Sequence, residues 1–228
     1  MSDKATNPTK WLIPGGTIAA NGYMMVYCSG RNEFTGGLLH AGFKLTQTKP
    51  EEIVLANTSG TIIEQVTLNP AQRNHSRGRT TTGAATWSLF TTPTPNAANA
   101  AAKQEYAQRP VMNQPQGYYT GTITVSITAN AADQIHFTMD GSEPTTASTV
   151  YSLPISVSAT TVLRARAFSS NPDVPPSFIE SNTYFINVNH TVPVISIFGT
   201  DLPSLLGGSY GDPDVVVEYF DRTKVFKT

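Results

Sequence analysis

The stretch from Ile135 to Phe168 limits the fold more than any other part of this 228-residue chain. Three short runs, Ile135-His-Phe-Thr-Met139, Thr149-Val-Tyr-Ser-Leu-Pro-Ile-Ser-Val157 and Thr161-Val-Leu-Arg-Ala-Arg-Ala-Phe168, are rich in β-branched and aromatic residues. Turn chemistry separates them, and Asp140-Gly141 is the sharpest reversal, because glycine takes positive φ without steric cost and aspartate tolerates it. Strands this short and this punctuated predict a β-meander or part of a sandwich. Within the first run the period of two puts Ile135, Phe137 and Met139 on one face.

The same grammar extends both ways. Ile123-Thr-Val-Ser-Ile127 alternates cleanly, with Ile123, Val125 and Ile127 inward, and Ser181 to Asn187 supplies a further strand. Nearer the N-terminus, strands are expected at Trp11-Leu-Ile13, Gly22 to Cys28, Phe43-Lys-Leu45, Glu52 to Ala56, Thr61 to Leu68 and Thr86 to Phe90, spaced by Ser-Gly, Asn-Gly and Gly-Gly turns. In Thr61 to Leu68 both faces mix apolar and polar residues, so the buried side is left open. The reading is all-β: two immunoglobulin-like β-sandwiches in tandem with a short C-terminal strand pair. The expected boundaries are 11–99 and 118–188 for the sandwiches, 100–117 for an Ala- and Pro-rich linker, and 189–228 for the incomplete start of a following domain.

Composition narrows the function classes. Charged residues are 14% of the chain, well under the usual quarter, and 15 basic against 16 acidic side chains leave no field to hold nucleic acid. The single Cys28 excludes an internal disulfide and reads as a small hydrophobe rather than a reactive thiol. Nothing approaches the ~20 apolar residues of a membrane-spanning helix, so no membrane insertion is expected.

Residues that could carry chemistry converge little along the chain. Gly207-Gly208-Ser209 lacks the lysine and helix of a phosphate loop, and Gln72 to Arg79 is a basic loop of structural character. His40, His75, His136 and His190 stand too far apart in sequence to suggest zinc, and Asp140, Glu143 and Asp173 are scattered for calcium. No cofactor, metal site or catalytic residue is expected, and the chain reads as no enzyme. The residues nominated for ligand contact are Tyr118, Tyr119, Asp140 and Glu143. Exposed rings stack on sugars, yet for Tyr118, Tyr119, Tyr151 and Tyr184 core packing is the competing reading. For Asp140 the competing role is support of its own turn.

Three resemblances come from ordered motifs. Trp11-x-x-Pro14-Gly-Gly-Thr17, Asn21-Gly-Tyr23, Leu39-His40, Phe43-Lys-Leu45, Ser76-Arg-Gly-Arg79, Trp87 and Thr92-Pro-Thr-Pro-Asn96 together resemble the later part of a bacterial lamin-tail domain, which has an immunoglobulin-like fold. The opening strands of that family are missing, which implies an internal methionine, an expression boundary or a misplaced start at Met1, and an unpaired sheet edge open to self-association. Phe137-Thr-x-Asp140-Gly-Ser-x-Pro144, Ser148-Thr-x-Tyr151, Pro154-Ile155 and Thr161-x-Leu163-Arg-Ala-Arg-Ala167 resemble the C-terminal sandwich of chitobiase and β-hexosaminidase enzymes. His190 to Phe198 and Gly211 to Asp221 are similar to the opening of a CotH-type spore-coat kinase domain. These resemblances imply a non-catalytic accessory, spacer or adhesion module, secreted or at the bacterial cell surface, with carbohydrate or another surface protein as partner. The alternative they imply is a regulatory or substrate-presenting N-terminal part of an extracellular CotH-like kinase.

Overall fold

The computed structural model describes residues 1–208 and 215–221, and the backbone of 225–227. Ser209 and Gly211-Asp-Pro-Asp214, which belong to the Gly-rich loop of the sequence reading, lie outside the described residues. The chain divides into two compact units, Met1–Gln104 and Glu105–Thr228. Among the described residues the regular structure is almost all strand, joined by turns and irregular backbone, and the class is all-β with immunoglobulin-like layers.

In the first unit, β1 (Val26–Tyr27), β2 (Glu33–Thr35) and β3 (Leu38–His40) form one sheet, β4 (Glu51–Ala56) pairs with β5 (Ile62–Leu68), and β6 (Ser76–Arg79) pairs with β7 (Trp87–Phe90). The β2–β3 hairpin closes through Gly36 and Gly37, both at positive φ (60° and 79°), the requirement of a two-residue type I′ turn. Trp11, Leu39, Ala41 and Phe43 make a small buried core.

Several expected strands are shorter or absent here. Trp11 is buried, but Leu12 is 72% exposed and neither is in a strand: Trp11 is held by its amide donating to Met1 O (3.0 Å) and by the Met1 ammonium donating to Trp11 O (2.7 Å). Of Gly22 to Cys28 only Val26 and Tyr27 pair in a ladder, and of Phe43 to Leu45 only Lys44 forms an isolated bridge, to Ser29. Irregular backbone satisfied by single bonds replaces the ladders that apolar content suggested. Ser2 and Val54 exchange two 2.9 Å amide bonds along β4.

The second unit is built from β8 (Val111–Met112), β9 (Gly117–Tyr119), β10 (Ile123–Val125), β11 (Ile127–Thr128), β12 (Asp133–Thr138), β13 (Thr149–Val150), β14 (Ile155–Val157), β15 (Thr161–Ser169) and β16 (Glu180–Ile186). A five-stranded sheet runs β13-β12-β15-β16-β9, antiparallel except that β9 lies parallel to β16. The pairs β10–β14 and β8–β11 provide the strands of the opposing layer. Between them Val125, Val157, Leu163, Ala165 and Tyr184 are fully buried, with Met112, Ile127, Ile155 and Ile186 nearly so. The latter part of the stretch expected as linker is thus built in: Ala107 donates its amide to Pro175 O (2.9 Å) and Met112 joins the core.

Two details depart from the alternation reading. Ile123 to Ile127 keeps its predicted inward set but breaks at Ser126, where the strand changes partners; Ser126 and Asn113 bond through Ser126 N–H to Asn113 Oδ1 (2.7 Å) and Asn113 N–H to Ser126 O (3.0 Å). Met139 is exposed instead of sharing the face of Ile135 and Phe137: the regular ladder of β12 stops at Thr138, and beyond it Asp140 meets the sheet through a single bridge to Val162.

Beyond β16 come β17 (Val194–Phe198), a one-turn helix α1 (Leu202–Leu206), β18 (Val216–Phe220) and β19 (Val225–Lys227), with β17 and β18 antiparallel. Phe198 and Phe220 are buried, and Phe220 meets Phe185 edge-on at 4.9 Å. The five-stranded sheet is therefore covered on both faces over β16.

Tyr184 offers a direct check on the core. Its hydroxyl donates to Gln114 O (2.9 Å) and accepts from Asn182 Nδ2 (3.1 Å), and burial pushes its pKa up to about 12. A phenol harder to ionise in the folded state contributes stability that is complete below the unfolded value near 10 and is lost as pH rises through the folded value. The free energy of unfolding should fall between about pH 10 and 12 by up to about 2 kcal/mol from this group. Chemical denaturation of Tyr184→Phe across that range should show a shallower fall, from a starting stability lower by roughly 1 kcal/mol for the lost hydroxyl bonds.

Candidate functional site

The four nominated residues fall into two places. Tyr118 and Tyr119 are neighbours on β9, so the period of two sends them to opposite faces of the sheet. Register pairs Tyr118 with Phe185, and the rings stack at 4.8 Å and 18°, with His190 and Phe220 edge-on at 6.0 and 6.2 Å. Tyr118 keeps 39% exposure. Tyr119 points to the core side, edge-on to Tyr184 at 5.9 Å, and its hydroxyl donates to Pro115 O at 2.6 Å. Partial burial raises the pKa of both phenols. The pair therefore offers one partly open ring rather than a two-ring platform.

Asp140 and Glu143 share the loop between β12 and β13. That loop is longer than a two-residue hairpin, since His136 pairs with Val150 and Phe137 with Thr149. Asp140 Oδ1 accepts both the Ser142 hydroxyl (2.6 Å) and the Ser142 amide (3.0 Å), and these bonds, the hydroxyl's first, hold its carboxyl below the usual range. Thr138 Oγ1 donates to Ser142 O (2.7 Å), and Thr145 N–H donates to Ser148 Oγ (3.0 Å). Gly141 sits at φ 81°, and Pro144 is fully buried. Glu143 accepts an ion-pair bond from Arg166 NH1 at 2.7 Å.

The residues that position this loop were not nominated from sequence. In Arg164-Ala-Arg-Ala167, the alanines pack without exposure in the sandwich interior and the arginines stand on the other face. Arg164, 6% exposed, donates NH1 to Gly141 O (3.1 Å) and Nε to Ser181 Oγ (3.3 Å), with its guanidinium 5.5 Å from the Phe198 ring centre. Arg166 donates Nε to Ser177 O (2.9 Å) and reaches Glu143. His136, paired in register with Arg166, is buried between Ser148 O (2.9 Å) and Gln134 Oε1 (3.0 Å). The only local signal was the alternation of arginine with alanine, which fixes faces but not partners.

These bonds show what a Phe-Thr-x-Asp-Gly-Ser-x-Pro run followed by an Arg-Ala-Arg-Ala strand does: it folds a loop and ties it to a sheet. Residues 114–175 match the chitobiase/beta-hexosaminidase C-terminal domain. No curated protein and no solved structure matches the chain. The chitobiase-type match covers β9 to β15 and the signature loop, and it stops before β16, whose Tyr184 and Ile186 complete the same core. The domain family that this match describes is an accessory, fibronectin-like one, not a catalytic one.

Elsewhere, the described residues hold no group of three His, Cys, Asp or Glu side chains placed for a metal ion. His40 Nδ1 bonds Ser29 Oγ at 3.0 Å, with its ring stacked on Tyr27. Cys28 lies half-buried against the Trp11 core, one residue past β1, and burial, then the Asp3 charge, pushes its thiol up.

Two substitutions separate the carboxylates. Asp140→Ala removes two turn bonds and should lower stability by about 1 kcal/mol, whereas Glu143→Gln, whose own carboxylate is the more open member of its pair with Arg166, should cost less than about half of that. Because the Asp140 carboxyl is held down in the folded state, its contribution is present above about pH 4 and lost as pH falls through the folded value. Urea unfolding of wild type and Asp140→Ala should therefore converge in acid.

Proposed function

We propose that this chain is a non-catalytic accessory module, serving as a spacer or adhesion element in a secreted or cell-surface bacterial protein concerned with carbohydrate. The observation that carries this reading is the use to which the signature residues are put. Asp140 and Glu143 are engaged in shaping a loop and in an arginine pair, and do not face each other across a cleft as glycoside hydrolysis needs. The chitobiase-type match at 114–175 supports the carbohydrate association, and the lamin-tail resemblance of residues 11–99 supports a tandem arrangement of modules.

Tyr118 is the residue through which a sugar would be met, because its ring stays partly open while Tyr119 is turned to the core. The kinase alternative rests on the likeness of residues 190–221 alone. Burial of Phe198, Glu218 and Phe220 gives that segment a structural task within the second unit, which favours the accessory reading.

A glycan array probed with the labelled chain tests the proposal, alongside incubation with chromogenic N-acetylhexosaminides. The expected outcome is binding to at least one polysaccharide that weakens in Tyr118→Leu, with no hydrolysis above buffer. An empty array would remove the carbohydrate-binding form and leave the spacer form. Turnover that copurifies with the chain would overturn both.

A further inference from the structure

The outer face of the five-stranded sheet, away from the sandwich core, carries two features that share residues. One is the signature loop from Met139 to Ser148. The other is the β17–β18 pair.

Phe198, at the end of β17, is 5% exposed and lies against Gly141 so closely that a Cβ built on that glycine would stand 3.2 Å from Phe198 Cβ. Its ring also covers the Arg164 guanidinium at 5.5 Å, and Arg164 is the residue that donates to Gly141 O. Three groups from three elements therefore make one stack: loop backbone, strand arginine, hairpin phenyl. The far end of the hairpin is fastened to β16. Glu218, fully buried, accepts the Thr183 amide at Oε2 (3.1 Å), Thr183 Oγ1 bonds Ser196 Oγ (2.9 Å), and Phe220 closes edge-on against Phe185.

We propose that the β17–β18 pair is a strap and that strap and signature loop open and close as one unit. Arg164 makes the coupling. Beneath Phe198 the guanidinium is shielded from water, where its bond to Gly141 O is strong; with the strap lifted, water competes for the same donors and the loop loses its anchor. In the opposite direction, a loop that leaves takes away the floor on which Phe198 packs. The strap is also the weaker layer, because it holds a carboxylate and hydroxyls where the sandwich interior is apolar, and charge burial returns little net stability. A partner that displaced the hairpin would thereby release the loop, and one that gripped the loop would hold the hairpin down.

Native-state hydrogen exchange on the full chain, read by mass spectrometry in low denaturant, tests this. In the wild type, peptides covering 139–148 and those covering 194–198 and 216–220 should exchange at matching opening constants with the same denaturant dependence, and faster than those covering 161–168. In Phe198→Ala both the loop and the strap should speed up together, by about tenfold or more, while 161–168 changes less. Asp140→Ala, which touches only the loop, should accelerate exchange in the strap as well. If Phe198→Ala does not fold, the wild-type isotherms and Asp140→Ala decide. The proposal is overturned if the two segments open with different constants in the wild type, or if loosening one leaves the other at its original rate.

Discussion

Everything in the second unit depends on how β15 spends its two faces. Ala165 and Ala167 leave no room to spare on the interior side, so Val125, Val157 and Tyr184 can close over a thin core. On the other side the intervening arginines lose rotamer freedom when they are ordered against the sheet and are too charged to be buried without partners. They are satisfied by backbone carbonyls, the Ser181 hydroxyl and one carboxylate from segments that arrive later or earlier in the chain. A single four-residue alternation thus sets the depth of the core and the location of the loop.

The first unit is held differently. Its apolar cluster is small, its ladders are short, and isolated bridges such as Ser2 with Val54 and Ser29 with Lys44 carry the connections that strands carry in the second. Polar backbone groups that cannot join a ladder still need partners, and here the partners come one at a time. That is why Trp11 can be among the most buried residues without belonging to a strand.

Legibility follows the distance between partners. Strand existence was readable for Glu51–Ala56, Ile62–Leu68, Ile155–Val157, Thr161–Ser169 and Glu180–Ile186, since alternation is a local property. The turn role of Asp140 was readable for the same reason, its donor lying two residues away. The partner of Glu143 lies 23 residues away, and that of Glu218 lies 35, so neither could be inferred from neighbours. Ser126 shows the converse error, in which a perfect alternation hides a change of partner strand. Trp11, Met24 and Phe43 misled because burial was obtained by packing and single bonds rather than by pairing.

The parallel contact of β9 with β16 bears on how such a module behaves under tension. β9 stands near the entrance of the second unit and β16 closes its sandwich, so a pull on the two ends drags these neighbours in opposite directions along their length. The rungs joining Gly117, Tyr118 and Tyr119 to Tyr184, Phe185 and Ile186 are then loaded in shear and must yield together, where an antiparallel hairpin would unzip rung by rung. A module pulled from its two ends gains resistance to extension from that one choice of strand direction.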